Sequence, residues 1–60
     1  MSRLYLTDTK DVYLEKDDTK RISFCIDSEW VTEPIYREDI PWISVVFGIK
    51  KSSLEDFFDN

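Results

Sequence analysis

Between Leu4 and Ile26 the apolar residues recur at every second position in three separate runs, the period of a β-strand with one face buried. Leu4 to Lys10 (LYLTDTK) is nearly repeated by Val12 to Lys20 (VYLEKDDTK). Each is a short β-prone run followed by polar turn residues, the pattern of a hairpin. Setting Leu4 opposite Leu14, Tyr5 opposite Tyr13 and Leu6 opposite Val12 puts leucine and valine on one face and both tyrosines on the other. The loop is then Asp8-Thr9-Lys10, whose last position favours Gly or Asn. Arg21 to Asp27 (RISFCID) alternates strictly, with Ile22, Phe24 and Ile26 on one face and Ser23 and Cys25 on the other. Placing Leu14 beside Ile22, Val12 beside Phe24 and Glu15 opposite Arg21 makes the apolar faces of all three runs coincide. The expected core is an antiparallel meander.

Beyond Ser28 the pattern continues with Val31, Glu33 and Ile35 alternating with Trp30, Thr32, Pro34 and Tyr36. Proline donates nothing to a ladder, so this is an edge strand ending near Pro34. Residues 37–40 have room for one helical turn, which Pro41 stops. Trp42 to Ile49 (WISVVFGI) is the most β-prone stretch, with Trp42 and Val46 making its second face partly apolar as well. It reads as a central strand covered on both sides. At the end, Ser52 and Glu55 have the spacing of a capping box, and Leu54, Phe57 and Phe58 form an apolar stripe. The expected fold is a single mainly β domain over 1–60, with strands over 3–7, 11–15, 21–27, 29–35 and 42–49 and a helix over 53–58. The five-stranded antiparallel meander is an open sheet or a half-barrel, and the helical turn before its last strand resembles that of SH3-like small barrels. That outline is shared by many functions and selects none.

Composition narrows the chemistry. A domain of 60 residues buries only about 60% of the surface its unfolded chain exposes. It has one cysteine and no histidine, so neither an intrachain disulfide nor a zinc site of the usual kind reinforces it. Acid–base and nucleophilic catalysis usually recruit histidine. Cys25 lies mid-strand without a group to activate it, no acidic pair has the spacing of a calcium loop, and there is no glycine-rich phosphate loop. The expectation is a non-enzyme without cofactor or metal.

There are 13 acidic against 8 basic residues, a net charge of −5. That balance disfavours nucleic acid and anionic membrane as direct ligands and favours a protein partner with a basic surface. No apolar run approaches a membrane span, the start MSRLYLTD has no signal region, and a cytoplasmic location with a reduced thiol is expected. The chain opens at Met1 and reads as a complete small gene product.

Two sets of residues stand out as partner-binding. Tyr5 and Tyr13 share the face opposite the main core, where the C-terminal helix either packs over them or leaves them as an aromatic platform. The second set lies in Glu33 to Trp42 (EPIYREDIPW): the strand-to-strand corner explains the prolines, Ile35, Ile40 and Trp42, but not Tyr36, Arg37, Glu38 and Asp39, which with Trp30 suit a recognition loop. Glu38 to Trp42 also resembles the acidic Asp-Asp-Ile-Pro-Phe tip by which bacterial single-stranded-DNA-binding proteins recruit partners. The family tip ends in a free terminal carboxylate, whereas this segment is internal. The function expected from these features is a small acidic binding protein of the phage-encoded host-inhibitor or anti-defence type, which inhibits or modulates a larger protein. Nucleic-acid-binding proteins are among the candidate targets, and nucleic-acid mimicry is one version of the mechanism. The alternative is a structural subunit that pairs with itself, as a homodimer, or joins an assembly through a strand edge.

Overall fold

The computed structural model describes all residues from Met1 to Asn60. Strands β1 (Ser2–Tyr5), β2 (Val12–Lys16), β3 (Ile22–Ile26) and β4 (Val31–Pro34) form one antiparallel sheet in chain order. Short 3-10 turns at Asp27–Glu29 and Arg37–Asp39 flank β4, and helices α1 (Ile40–Phe47) and α2 (Lys51–Asp59) complete the chain. The sheet is an open four-stranded meander with β1 and β4 as its edges. No helix is long and apolar enough to cross a membrane.

The first hairpin has the expected register, with Leu4 opposite Leu14 and Tyr5 opposite Tyr13. The second does not. Leu14 pairs with Phe24, Val12 with Ile26 and Lys16 with Ile22, a shift of two residues from the expected pairing that leaves every side chain on its expected face. The cause is the turn. Lys10 N–H donates to Thr7 C=O and Lys20 N–H to Asp17 C=O, both at 3.0 Å. Both lysines are left-handed, with φ of 62° and 67°. Asp8-Thr9-Lys10 and Asp18-Thr19-Lys20 therefore make the same kind of turn, closed by a left-handed residue. The next ladder bond is Leu6 N–H to Val12 C=O in the first hairpin and Asp17 N–H to Arg21 C=O in the second. The repeated Asp-Thr-Lys sets both registers. Glu15 consequently does not face Arg21; its carboxylate accepts from Arg3 Nε at 2.8 Å across β1.

The fifth strand expected over 42–49 is replaced by α1, and the half-barrel goes with it. Pro41 sits in the first turn of α1, where its missing N–H costs nothing, so it starts a helix where it was read as stopping one. Gly48 ends it in the left-handed conformation (φ 66°), its N–H donating to Ser44 C=O. Ile40, Ile43 and Phe47 recur at helical spacing and face inward, while Val45 and Val46, 80% and 64% exposed, face out. The helix α2 begins before the expected capping box. Lys50 occupies the N-cap position without a side-chain cap, and Ser52 and Glu55 are both exposed.

Both helices pack on the same face of the sheet. Leu14 of β2, Ile43 of α1 and Leu54 of α2 are fully buried at the centre of a core that also takes Leu6, Ile22, Ile35 and Ile40. Phe57 and Phe58 pack against this core, so the C-terminal helix covers the leucine face and leaves the tyrosine face without a helix. Lys16 is buried on the core side by its aliphatic stem, and its Nζ lies 4.8 Å above the Phe57 ring.

The left-handed positions give a pair of opposite expectations. A Cβ on Gly48 meets nothing within 4 Å, so Gly48→Ala is penalised only by its dihedral angle, by about 1 kcal/mol. Lys20→Gly relieves the same strain and gains a comparable amount. Thermal melts followed by circular dichroism should show Tm falling by about 4–8 °C in the first variant and not falling in the second.

Candidate functional site

The antiparallel order sends the candidate partner-binding residues to two ends of the sheet. Trp30, Tyr5 and Tyr13 belong to the end where β3 turns into β4. Tyr36, Arg37, Glu38 and Asp39 follow the other end of β4, where the backbone N–H of Ile35 still bonds to Ile22 C=O at 3.0 Å. One continuous surface of all seven is not formed.

At the first end, the turn Asp27–Glu29 is fastened to the loop before β2. Asp11 accepts from the Ser28 N–H at 2.9 Å and from the Ser28 hydroxyl at 2.8 Å, and Asp11 C=O accepts the Asp27 N–H. The Tyr13 hydroxyl donates to Asp27 Oδ1 at 3.0 Å. Tyr13 is buried, with the Tyr5 ring centroid 5.6 Å away and the Arg3 guanidinium 4.5 Å above its ring. Tyr13 thus serves the fold; Tyr5, half-exposed beside it, carries Lys10 Nζ over its ring at 5.5 Å. Cys25, buried on this face, is a free thiol.

Trp30 ends this braced turn. Its N–H caps the turn by donating to Asp27 C=O, its backbone is left-handed (φ 56°, ψ 34°), and its side chain is 93% exposed. A bulky residue at positive φ is an outlier in folded chains, and glycine or asparagine would serve the turn without the strain. Nothing inside the molecule accounts for tryptophan here.

At the second end, Asp39 is occupied by structure. Its carboxylate accepts from the Tyr36 N–H at 2.9 Å and from Trp42 Nε1 at 3.0 Å, holding the 3-10 turn and seating Trp42 beside Phe24 and Phe47. Ile40 is only 4% exposed. The segment resembling the Asp-Asp-Ile-Pro-Phe tip is therefore folded into a helix start with its isoleucine in the core, unavailable to a partner. Glu38 and Tyr36 project into solvent, and Arg37 pairs with Asp59 of α2. Tyr36 and Arg37 also border a groove that includes Lys20 and Arg21 of the β2–β3 turn.

Two surfaces were not read from the sequence. The outward side of α1, with Val45 and Val46, was hidden by reading the segment as a strand. The convergence of Lys20 and Arg21 on Arg37 follows from the register of the second hairpin, for which the Asp-Thr-Lys repeat was the available signal. Comparison with family models, with characterised proteins and with solved structures finds no match.

The hydrogen bond to the Asp27 carboxylate, with burial adding to it, pushes the Tyr13 hydroxyl up to about 12 from 10.0. A pKa raised on folding means the unfolded chain loses its proton first, so the contribution is complete below pH 10 and is lost as pH rises towards 12. Urea unfolding should show stability declining across that interval in the wild type and declining less steeply in Tyr13→Phe.

Proposed function

We propose that this chain is a non-enzymatic protein-binding domain that inhibits or modulates a larger protein by occupying one of its surfaces, with Trp30 as the anchor. The observation that carries the reading is the combination at Trp30 of near-complete exposure and left-handed backbone. Tryptophan is the side chain most enriched among binding hot spots. Burying its ring against a partner removes about 150–250 Å² from water, on the order of 4 kcal/mol. The Asp11–Ser28 and Tyr13–Asp27 hydrogen bonds hold the turn beneath it, so little ordering is left for the moment of binding.

Aromatic anchoring is favoured over nucleic-acid mimicry. Mimicry needs carboxylates spaced freely along a surface, and here many are engaged within the fold. Asp11, Asp27 and Asp39 hold turns, Glu15 pairs with Arg3, and Asp59 pairs with Arg37. Asp17 accepts from Thr19 N–H, Thr19 Oγ1 and the Arg21 N–H, bonds that hold its carboxyl below the ordinary range, the Thr19 hydroxyl first among them. The outward valines of α1 add apolar contact area that mimicry does not use.

A second reading is self-association through β1, an open edge without proline. Sedimentation decides it: a monomer over a wide concentration range removes that reading.

The main proposal is tested by affinity capture from lysate of the source cells with wild type and Trp30→Gly. The variant relieves the left-handed strain, so it should melt no lower than wild type, while affinity for the captured protein falls about thirtyfold or more. Equal recovery by the variant would overturn the anchor. Release from the wild type by salt alone would return the case to acidic mimicry.

A further inference from the structure

The groove at the opposite end of the sheet from Trp30 carries a second inference, independent of the first. It has a volume of about 650 Å³, within the range of small-ligand sites. Its rim holds Lys20, Arg21 and Arg37, three of the chain's 8 cations, with the Tyr36 side chain beside them. Its floor is apolar, from Ile22, Pro34, Ile35 and Phe58. In a protein of net charge −5, three converging cations are unexpected from composition, and they arrive from separate parts of the chain.

The cations are available. The Lys20 and Arg21 side chains make no hydrogen bond or ion pair within the chain; only their backbones are engaged, both N–H groups donating to Asp17 and the Arg21 C=O accepting from it. Of the two acids nearest in sequence, Asp17 is turned into its own turn by Thr19, and Asp18 lies 3.8 Å from the N-terminal ammonium. Arg37 bonds to Asp59, near the C-terminus of α2. Both partners of that pair are more than half exposed, and such a pair is weak in water, so an incoming anion can displace it. The Asp59 carboxylate shows what the rim accepts. Lys20 adds a second observation: it keeps a left-handed position (φ 67°) at a cost glycine would avoid.

We propose that this groove binds an organic oxyanion, a carboxylate or phosphate carried on an aromatic or aliphatic body. Arg21, Lys20 and Arg37 take the anion, and the body lies over Pro34, Ile35 and Phe58. Arginine suits the role because its planar fork presents two parallel N–H donors to either oxyanion. The ligand is either a free small molecule or the terminal residue of a peptide, since both present the same chemistry.

The test is titration of the 15N-labelled protein, followed by amide and arginine Nε–H shifts, with phenyl phosphate, N-acetyl-phenylalanine, its neutral amide and inorganic phosphate. Saturable shifts at residues 20–22, 34–37 and 58 are expected with the two aromatic anions. Tighter binding of phenyl phosphate assigns a phosphorylated ligand, and tighter binding of N-acetyl-phenylalanine assigns a peptide terminus. Loss of one charge-assisted contact should weaken either about tenfold in Arg21→Gln and in Arg37→Gln. Asp59→Asn frees Arg37 and should tighten binding about threefold, within the energy of an exposed ion pair. Lys20→Gly should weaken binding while melting no lower than wild type, which separates lost recognition from lost folding. Shifts that do not saturate, equal affinity for the neutral amide or for inorganic phosphate, or indifference to Arg21→Gln would overturn the proposal.

Discussion

The chain has two short helices, of eight and nine residues, with which to cover its sheet, and that shortage of covering structure shapes the rest of the molecule. A sheet face is stable only when its apolar side is removed from water. The leucine face is served first, because Leu14 between Ile43 and Leu54 is the only place where strand and both helices bury side chains completely. The other face has no layer above it. It is sheltered by its own side chains: Arg3 across Tyr13, Tyr5 against Tyr13, and the Arg3–Glu15 ion pair alongside. Tyr13 and Cys25 become buried without a second core. The same shortage leaves α1 with nothing on its outward side.

Turns occupy many of the carboxylate acceptors. With a single glycine in the chain, hairpins cannot be closed by the cheapest residue, and aspartate does the work through side-chain acceptors. Asp11, Asp17, Asp27 and Asp39 each tie down a turn. A count of acids read from composition therefore overstates the number of carboxylates free to hydrogen-bond a partner. In a domain this small, with neither an intrachain disulfide nor a zinc site of the usual kind to reinforce it, these hydrogen bonds are part of what keeps it folded.

The first four strands, the common apolar face and the first register were legible because a period of two and a matched pair of tyrosines admit few alternatives. The second register was legible too, but only through the Asp-Thr-Lys repeat. Hydrophobic pattern alone cannot distinguish pairings two residues apart, since both keep the same faces together. Residues 42–49 were misread because β-branched and aromatic residues satisfy a strand pattern as well as a buried helix. Pro41 near the start and Gly48 at the end marked the helix. The deciding factor was tertiary: the leucine face needed a cover more than the sheet needed another strand. Of the candidate partner residues, Asp39 and Tyr13 proved to be held by the fold. Tyr13 is held by a hydrogen bond to Asp27 across the sheet, which leaves no trace in composition. Asp39 is held by local bonds to Tyr36 and Trp42 that form only because the segment turns into a helix.

Left-handed non-glycine residues mark the functional candidates more sharply than charge or aromaticity does. There are three, Lys10, Lys20 and Trp30, one at the close of each hairpin. They carry similar backbone strain but differ in what the side chain obtains for it. Lys10 is compensated within the chain, its ammonium lying over the Tyr5 ring. Lys20 and Trp30 have no such partner. Lys20 faces the groove with two arginines, and Trp30 stands in solvent on a braced turn. The strain retained at these two positions has no return inside the molecule, which is the physical ground on which both proposals stand. They flank β3 at its two ends, and because β3 is paired on both sides a rigid strand separates the two proposed sites, so occupation of one need not disturb the other.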